Sequence, residues 1–167
     1  PIVLGLNLAP PAPDVRNTFA VTGPGAGAGF AGVLTGGGTR CHMASPPVAT
    51  GASAVTPTAA PGGLVFPYGM LQFSATDCDV GGSVTLVLTY PTALPAQAAY
   101  WKWGKTQAQP VPHWYAVPST VQGNTMTVTI QDGGLGDDDL LANGTITDPA
   151  GPAWTLAEGE SGVHPVP

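Results

Sequence analysis

Two stretches of this sequence alternate strictly between apolar and polar residues, and they constrain the fold more than any other feature. They are SVTLVLTY (83–90) and TMTVTI (125–130), and their apolar sets are Val84, Leu86, Leu88 and Tyr90 in the first and Met126, Val128 and Ile130 in the second. A period of two is typical of a β-strand with one buried face. We therefore expect antiparallel strands that bury these residues.

Other short apolar stretches extend this pattern over most of the chain. We expect strands at 17–21, 29–38, 70–76, 144–147 and 153–158, and a long irregular loop at 44–64. The chain contains 24 Gly and 19 Pro, which disfavour helices and supply turns. Seven or more short strands separated by turns predict an all-β, Ig-like antiparallel β-sandwich with long Gly/Pro-rich loops.

We divide the chain of 167 residues into three parts. Residues 1–16 comprise an apolar extended strand, PIVLGLNLA (1–9), and a hinge containing Pro10, Pro11 and Pro13. Residues 17–152 form the β-sandwich domain, and residues 153–167 form a last strand and a tail. The hinge is expected to be stiff, because proline fixes the backbone φ angle.

The charge distribution excludes several classes of partner. The chain has only four Lys and Arg residues and a formal net charge of −6, so it lacks the basic cluster that neutralises phosphates. Nucleic-acid binding and attachment to anionic lipid are therefore not expected. No run of about 20 apolar residues is present, so we expect no transmembrane segment.

Cys41 and Cys78 are the two cysteines of the chain. They allow a single intramolecular pairing, which an oxidising compartment favours. Buried free thiols and a metal site are the alternatives, although no CxxC or HxxxH spacing supports a metal. We predict a Cys41–Cys78 disulfide and an extracellular location.

The stretch DGGLGDDDL (132–140) holds four of the ten acidic residues of the chain. Residues 133–141 also match a single nonapeptide GGxGxDxUx of calcium-binding β-rolls. Neighbouring carboxylates without a basic partner repel one another, and a hard cation with oxygen ligands relieves this repulsion. We predict a calcium site with ligands drawn from Asp132, Asp137, Asp138, Asp139 and Asp148. The alternative is a solvated acidic turn.

An aromatic block, YWKWG (100–104), lies between the two alternating stretches. On a strand, Trp101 and Trp103 share one face, while Tyr100 and Lys102 share the other. Exposed tryptophans in this arrangement form a platform on which a sugar can stack. The alternative, which we favour for at least two of Trp101, Trp103 and Trp114, is that the tryptophans belong to the core, which needs large apolar residues.

The sequence offers little for catalysis. The two glutamates are at 158 and 160, away from the acidic loop, so paired carboxylates across a sugar cleft are not expected. No GxSxG motif accompanies the three histidines. We therefore expect a protein that is not an enzyme.

Five stretches together resemble the bacterial choice-of-anchor U domain. They are GGGTRC (36–41), FPYGMLQFSATDC (66–78), VTLVLTYPTALPAQAAYWKWG (84–104), PHWYAVPSTVQGNTMTVTI (112–130) and DGGLGDDDLLANGTITDPAGP (132–152). The resemblance spans roughly residues 17–152 and implies an exported protein of the bacterial cell surface, without catalytic activity. Residues 153–167 depart from it, because they contain no sorting motif and no apolar anchor, so we expect that the anchor was removed or that this protein is released or assembled differently.

These observations lead to a structural function as the first hypothesis. The segment 1–9 is suited to pair with an open sheet edge of another copy, with Ile2, Leu4, Leu6 and Leu8 on one face and Val3 on the other. Such head-to-tail donation builds filaments. The alternative is that the segment folds back on its own sheet. The alternative hypothesis is an adhesion module that binds a glycan or another ligand through Trp101 and Trp103.

Overall fold

The computed structural model describes residues 17–23, 29–52 and 59–156 of the chain. In these ranges, twelve strands form two antiparallel sheets. In chain order they are β1 (Thr18–Val21), β2 (Phe30–Gly36), β3 (His42–Met43), β4 (Val48–Thr50), β5 (Leu64–Val65), β6 (Met70–Thr76), β7 (Ser83–Thr89), β8 (Ala99–Gly104), β9 (His113–Val117), β10 (Ser119–Gln122), β11 (Thr125–Gln131) and β12 (Ile146–Thr155).

The first sheet has the order β1-β2-β7-β11-β10, and the second has the order β3-β6-β12-β8-β9. In the second sheet, β4 also pairs with β6, and β5 also pairs with β12. The two sheets pack face to face, so the predicted all-β antiparallel sandwich is confirmed. Segment 1–16 lies outside the described residues, and so does 157–167.

The core lies between the sheets and is built from the alternating stretches. Leu86 of β7 is aligned with Leu34 of β2 and Val128 of β11, and all three side chains are buried. Phe73 of β6 and Ile146 of β12 are buried on the second sheet. The predicted inward faces of 83–90 and 125–130 are confirmed.

Strand β12 differs from the sequence-based prediction. Two separate strands were expected at 144–147 and 153–158, but one strand runs from Ile146 to Thr155 through Pro149 and Pro152. Its pairing with β6 ends at Ala150, where its pairing with β8 begins. Each half of β12 therefore has one main hydrogen-bonded neighbour. Pro149 and Pro152 are accommodated as they would be in an edge strand, where a residue without an N–H group is tolerated. The sandwich extends to Thr155, three residues past the predicted boundary.

The change of neighbour in β12 requires a glycine. A Cβ atom added to Gly151 would lie 2.2 Å from the carbonyl oxygen of Gly69, which belongs to the loop before β6. No side chain fits in that space. Gly151 thus allows β12 to pass close to the backbone of the neighbouring loop.

Four very short strands were not predicted from the sequence. Strands β3, β4 and β5 have two or three residues each, and β10 follows β9 directly after Pro118 but belongs to the other sheet. Strand β4 lies inside the region 44–64 that was expected to be irregular, and β5 begins at its last residue, Leu64. Segments this short carry no periodic signal.

Cys41 and Cys78 form a disulfide, as predicted. Cys41 directly precedes β3 and Cys78 follows β6, and these two strands pair with each other through His42↔Thr76 and Met43↔Ala75. The bond therefore fixes the two-residue strand β3 to the end of β6. Among the described residues, there is no helix with the length and the apolar character needed to cross a bilayer.

Candidate functional site

Strand β8 presents its charged residue to the interior and its tryptophans to the outside. Tyr100 and Lys102 are completely buried between the sheets, whereas Trp101 and Trp103 are half-buried on the outer face. The predicted division of the strand into two faces is therefore correct. The placement of Trp101 and Trp103 in the core is not, because the inner positions belong to their neighbours.

A buried polar cluster surrounds Lys102. Its Nζ atom donates a hydrogen bond of 3.0 Å to Oδ1 of Asp148 and lies 3.4 Å from Oδ1 of Asp138. The hydroxyl of Tyr100 donates a hydrogen bond of 2.9 Å to Oδ2 of Asp148. Asp148 has no exposed surface, while the side chain of Asp138 is 41% exposed and faces the solvent.

The sheet register brings these groups together. Lys102 is aligned with Ala150 of β12 on one side and with Tyr115 of β9 on the other. Asp148 is two residues from Ala150 on β12, so it projects from the same inner face. Lysine and aspartate thus reach each other diagonally across neighbouring strands.

Asp138 reaches the cluster over a glycine. A Cβ atom at Gly104 would lie 2.9 Å from Oδ1 of Asp138, so a larger residue there would displace this carboxylate. The backbone N–H of Asp138 donates a hydrogen bond of 2.9 Å to the carbonyl of Thr147 on β12. The hydrogen bond therefore fixes the loop to β12, and Gly104 leaves room for the Asp138 carboxylate at the end of β8.

Burial controls the electrostatics of the cluster. It raises the pKa of Asp148, and the Lys102 ammonium and the Tyr100 hydroxyl partly offset this effect. Burial, and then the Asp148 carboxylate, raise the pKa of Tyr100 well above its ordinary value. Burial, and then the Asp148 carboxylate, also raise the pKa of Tyr115 above its ordinary value. The hydroxyls therefore remain protonated next to Asp148.

Two other aspartates of the predicted calcium site bind backbone amides. Oδ2 of Asp132 accepts hydrogen bonds from the N–H groups of Gly81, at 2.9 Å, and Gly144, at 2.8 Å. Asp137 accepts hydrogen bonds from Gly133, at 2.8 Å, and Thr147, at 3.1 Å. Both side chains are buried, and each joins separate segments of the loops at one end of the sandwich.

The acidic loop therefore divides its carboxylates among different partners. Asp139 accepts hydrogen bonds from the Leu141 N–H and the Asn143 side chain, each 2.8 Å long, while Asp138 and Asp148 face Lys102. Within ranges 17–23, 29–52 and 59–156, no three His, Cys, Asp or Glu side chains form a group that could hold a metal ion. Calcium binding by these aspartates stays a prediction, which calorimetric titration with calcium tests.

The outer face of the second sheet carries a row of aromatic rings. The centroids of Trp103 and Trp114 lie 5.7 Å apart in an edge-to-face arrangement, and Trp114 lies 5.5 Å from Phe66. Trp101 is on the same face, opposite Ala116. Sequence reasoning identified Trp101 and Trp103 but not the addition of Trp114 and Phe66, which depends on the pairing of β8 with β9 and on the position of a distant loop.

A groove opens between the sheets beside β1. Its volume is about 410 Å³, and it is lined by Thr18, Phe19 and Ala20 of β1, by Met43 of β3 and by residues 44–47, which follow β3. In the described part of the chain, β1 pairs only with β2, so its outer edge has no neighbouring strand. The predicted donor residues Ile2, Val3, Leu4, Leu6 and Leu8 lie outside the described residues.

The fold and these features define a disulfide-linked antiparallel β-sandwich with an ion pair in its core. No protein-family model, curated protein or solved structure matches the chain. Membership of the choice-of-anchor U family therefore stays a prediction from the residues quoted above.

Proposed function

We propose that this protein is a non-enzymatic structural protein of the bacterial cell exterior whose copies assemble by strand donation. In this proposal, segment 1–9 of one copy enters the groove of the next copy and pairs with the free edge of β1. The observation that carries the proposal is the groove itself, which lies between residues 43–47 and an edge of β1 that no strand of the described ranges pairs with. An extended segment can supply both the missing backbone hydrogen bonds and apolar side chains at such a site.

The lining of the groove suits an apolar strand. Phe19 and Met43 provide apolar surface, and Pro46 and Pro47 have no backbone N–H with which to pair. A donated strand would thus form its hydrogen bonds with β1. The alternating residues Ile2, Leu4, Leu6 and Leu8 would point toward the groove, and Val3 would point away from it.

The Cys41–Cys78 disulfide supports the location outside the cell, because disulfides persist in oxidising compartments. Donation from one copy to the next joins two different surfaces, so the assembly does not close after two copies. The proposed product is therefore a filament or a surface layer.

Sedimentation over a range of protein concentrations tests this function. The full chain should form species larger than a dimer, while a chain without residues 1–9 should remain folded and monomeric. Introducing charge through Ala20→Glu and Ala44→Glu, both at exposed positions in the groove, should also prevent assembly. Ala93→Glu and Ala96→Glu, at exposed positions outside the groove, are the matched control. Assembly that survives the truncation, or an intact chain that stays monomeric, contradicts the proposal.

A second candidate function is binding of a glycan on the outer face of the second sheet. The half-buried Trp101, Trp103 and Trp114 favour it, because aromatic faces presented by a flat sheet stack on sugar rings. Glycan-array binding that is lost in Trp101→Ala and Trp103→Ala, but kept in the exposed control Val80→Ala, would support this candidate. Equal binding by all four proteins would reject it.

A further inference from the structure

We propose that Lys102 and Asp148 react with each other to form an intramolecular amide cross-link between β8 and β12. The two side chains have no exposed surface, and Nζ of Lys102 lies 3.0 Å from Oδ1 of Asp148. A primary amine and a carboxyl group held in contact away from water are the reactants of amide formation. Holding them in place replaces an encounter in solution by a reaction within one molecule.

Direct contact lets a proton pass from the Lys102 ammonium to the Asp148 carboxylate. Two opposite charges are costly to maintain in an apolar interior, so transfer of a proton from the ammonium to the carboxylate is far less unfavourable there than in water. The transfer gives a neutral amine, which is a nucleophile, and a neutral carboxylic acid, which is an electrophile. Amide formation then removes the charged pair from the core permanently.

The atoms balance without any other reactant. Nζ of Lys102 attacks Cγ of Asp148 and forms the N–C bond, which places negative charge on Oδ2. The hydroxyl of Tyr100, 2.9 Å from Oδ2, donates the hydrogen bond that stabilises this oxygen. A proton then moves from Nζ to Oδ1, the Cγ–Oδ1 bond breaks, and one water molecule leaves. Oδ2 becomes the carbonyl oxygen of the amide.

Asp138 is positioned to carry the second proton. Its Oδ1 atom lies 3.4 Å from Nζ, on the solvent side of the pair. The carboxylate can accept a proton from the attacking nitrogen and return it to the leaving oxygen, so that it is unchanged at the end. Gly104 leaves the space for this approach, because a Cβ atom there would lie 2.9 Å from the same oxygen.

The released water has a path to the solvent. A cavity of about 280 Å³ adjoins Asp138 and is lined by Trp103, Gly104, Lys105 and Pro112 as well. Through it the product water can leave the site. The cross-link would join the two strands that pair through Ala150–Ala153 of β12, whether or not the protein assembles into filaments.

Intact mass after reduction of the disulfide is the primary test. The folded full-length protein should be lighter than its sequence by the mass of one water molecule. After unfolding, an amine-acylating reagent should modify Lys105, which is exposed in the fold, but not Lys102. Tryptic digestion should yield one branched peptide that contains both Lys102 and Asp148. A protein of full sequence mass in which both lysines are acylated overturns the proposal.

Variants separate this cross-link from other losses of water. Asp132–Gly133 could also lose water by forming a succinimide, but that loss would persist in Lys102→Met, whereas the cross-link cannot form in this variant. Persistence of the loss in Lys102→Met therefore overturns the proposal. Asp138→Asn changes an exposed residue and should slow cross-linking by about 10²-fold or more. The rate is measured as the loss of mass with time after synthesis. Gly104→Ala should slow it as well, since it displaces Asp138. Cross-linking at an unchanged rate in both variants would show that Asp138 does not carry the second proton.

Discussion

Lys102 and Asp148 face each other at 3.0 Å in the core of the β-sandwich, in a chain that has only four Lys and Arg residues. Their charges are not surrounded by water, and Tyr100 is the other side chain that binds Asp148. A buried pair of this kind is weak evidence for stability, since desolvation offsets most of the attraction. The pair affects stability mainly when one partner is removed, because the other is then a buried charge without a partner. The first prediction follows from this.

Compared with the original protein before it forms the amide, Lys102→Met should be less stable by about 3–5 kcal/mol, because Asp148 then has a buried charge without a partner. The double variant Lys102→Met, Asp148→Leu should recover most of this loss, since neither charge remains. Urea denaturation measures both values. Lys105→Met, at an exposed position two residues away, is the control and should change little. A double variant as unstable as Lys102→Met would show that shape, not charge, is critical at this site.

The second prediction concerns Asp132, whose Oδ2 atom accepts both amide hydrogen bonds while its buried Oδ1 atom has no partner among the described residues. Asp132→Ala leaves the N–H groups of Gly81 and Gly144 without an acceptor and should cost about 1–3 kcal/mol for each. Asp132→Asn can keep its oxygen in the Oδ2 position and should cost much less. Thermal denaturation of the two variants tests this. Equal losses would mean that the negative charge, and not the acceptor position, is required.

Much of the fold could be predicted from the sequence, because its central strands alternate. Residues 83–90 and 125–130 lie at the middle of the first sheet and bury one face only, so period two is visible in their sequence. Strand β12 was divided in two because prolines at 149 and 152 normally end a central strand. Its change of partner at Ala150 is a property of the assembled sheet, and no local pattern encodes it.

The candidate site was less predictable for the same physical reason. The acidic residues of the loop were recognised, but Lys102 is 36 or more positions away from Asp138 and Asp148 and approaches them only through the pairing of β8 with β12. The alternation of YWKWG showed that Lys102 and the tryptophans lie on opposite faces. It did not show which face is inside, because burial of the tryptophans is the more common arrangement.

The third prediction is a pH dependence that arises from Asp137. Burial raises the pKa of this carboxyl above 3.8, and the amides of Gly133 and Thr147 offset the effect only in part. The folded state therefore binds the proton more tightly than the unfolded state does. The stabilising contribution is complete below 3.8 and is lost as the pH rises through the raised pKa.

Comparison with Asp137→Asn isolates this contribution. The unfolding free energy of the original protein minus that of the variant should be largest at the acidic end and should fall as the pH rises above 3.8. Urea denaturation at a series of pH values measures the difference. A difference that grows with increasing pH would mean that the fold lowers this pKa.

The last prediction concerns the Cys41–Cys78 bond, which closes a loop with a sequence separation of 37 residues. Replacing both cysteines by serine should lower the unfolding free energy by about 3–4 kcal/mol, since the unfolded chain regains the freedom of that loop. Strand β3 has two residues and should lose its pairing with β6 first, because few other contacts hold it. Hydrogen exchange at His42 and Met43 should therefore become much faster. Exchange in β7 should become faster only to the extent that the global stability falls. Unchanged protection of β3 in the serine variant would show that its backbone pairing, and not the disulfide, keeps it on the sheet.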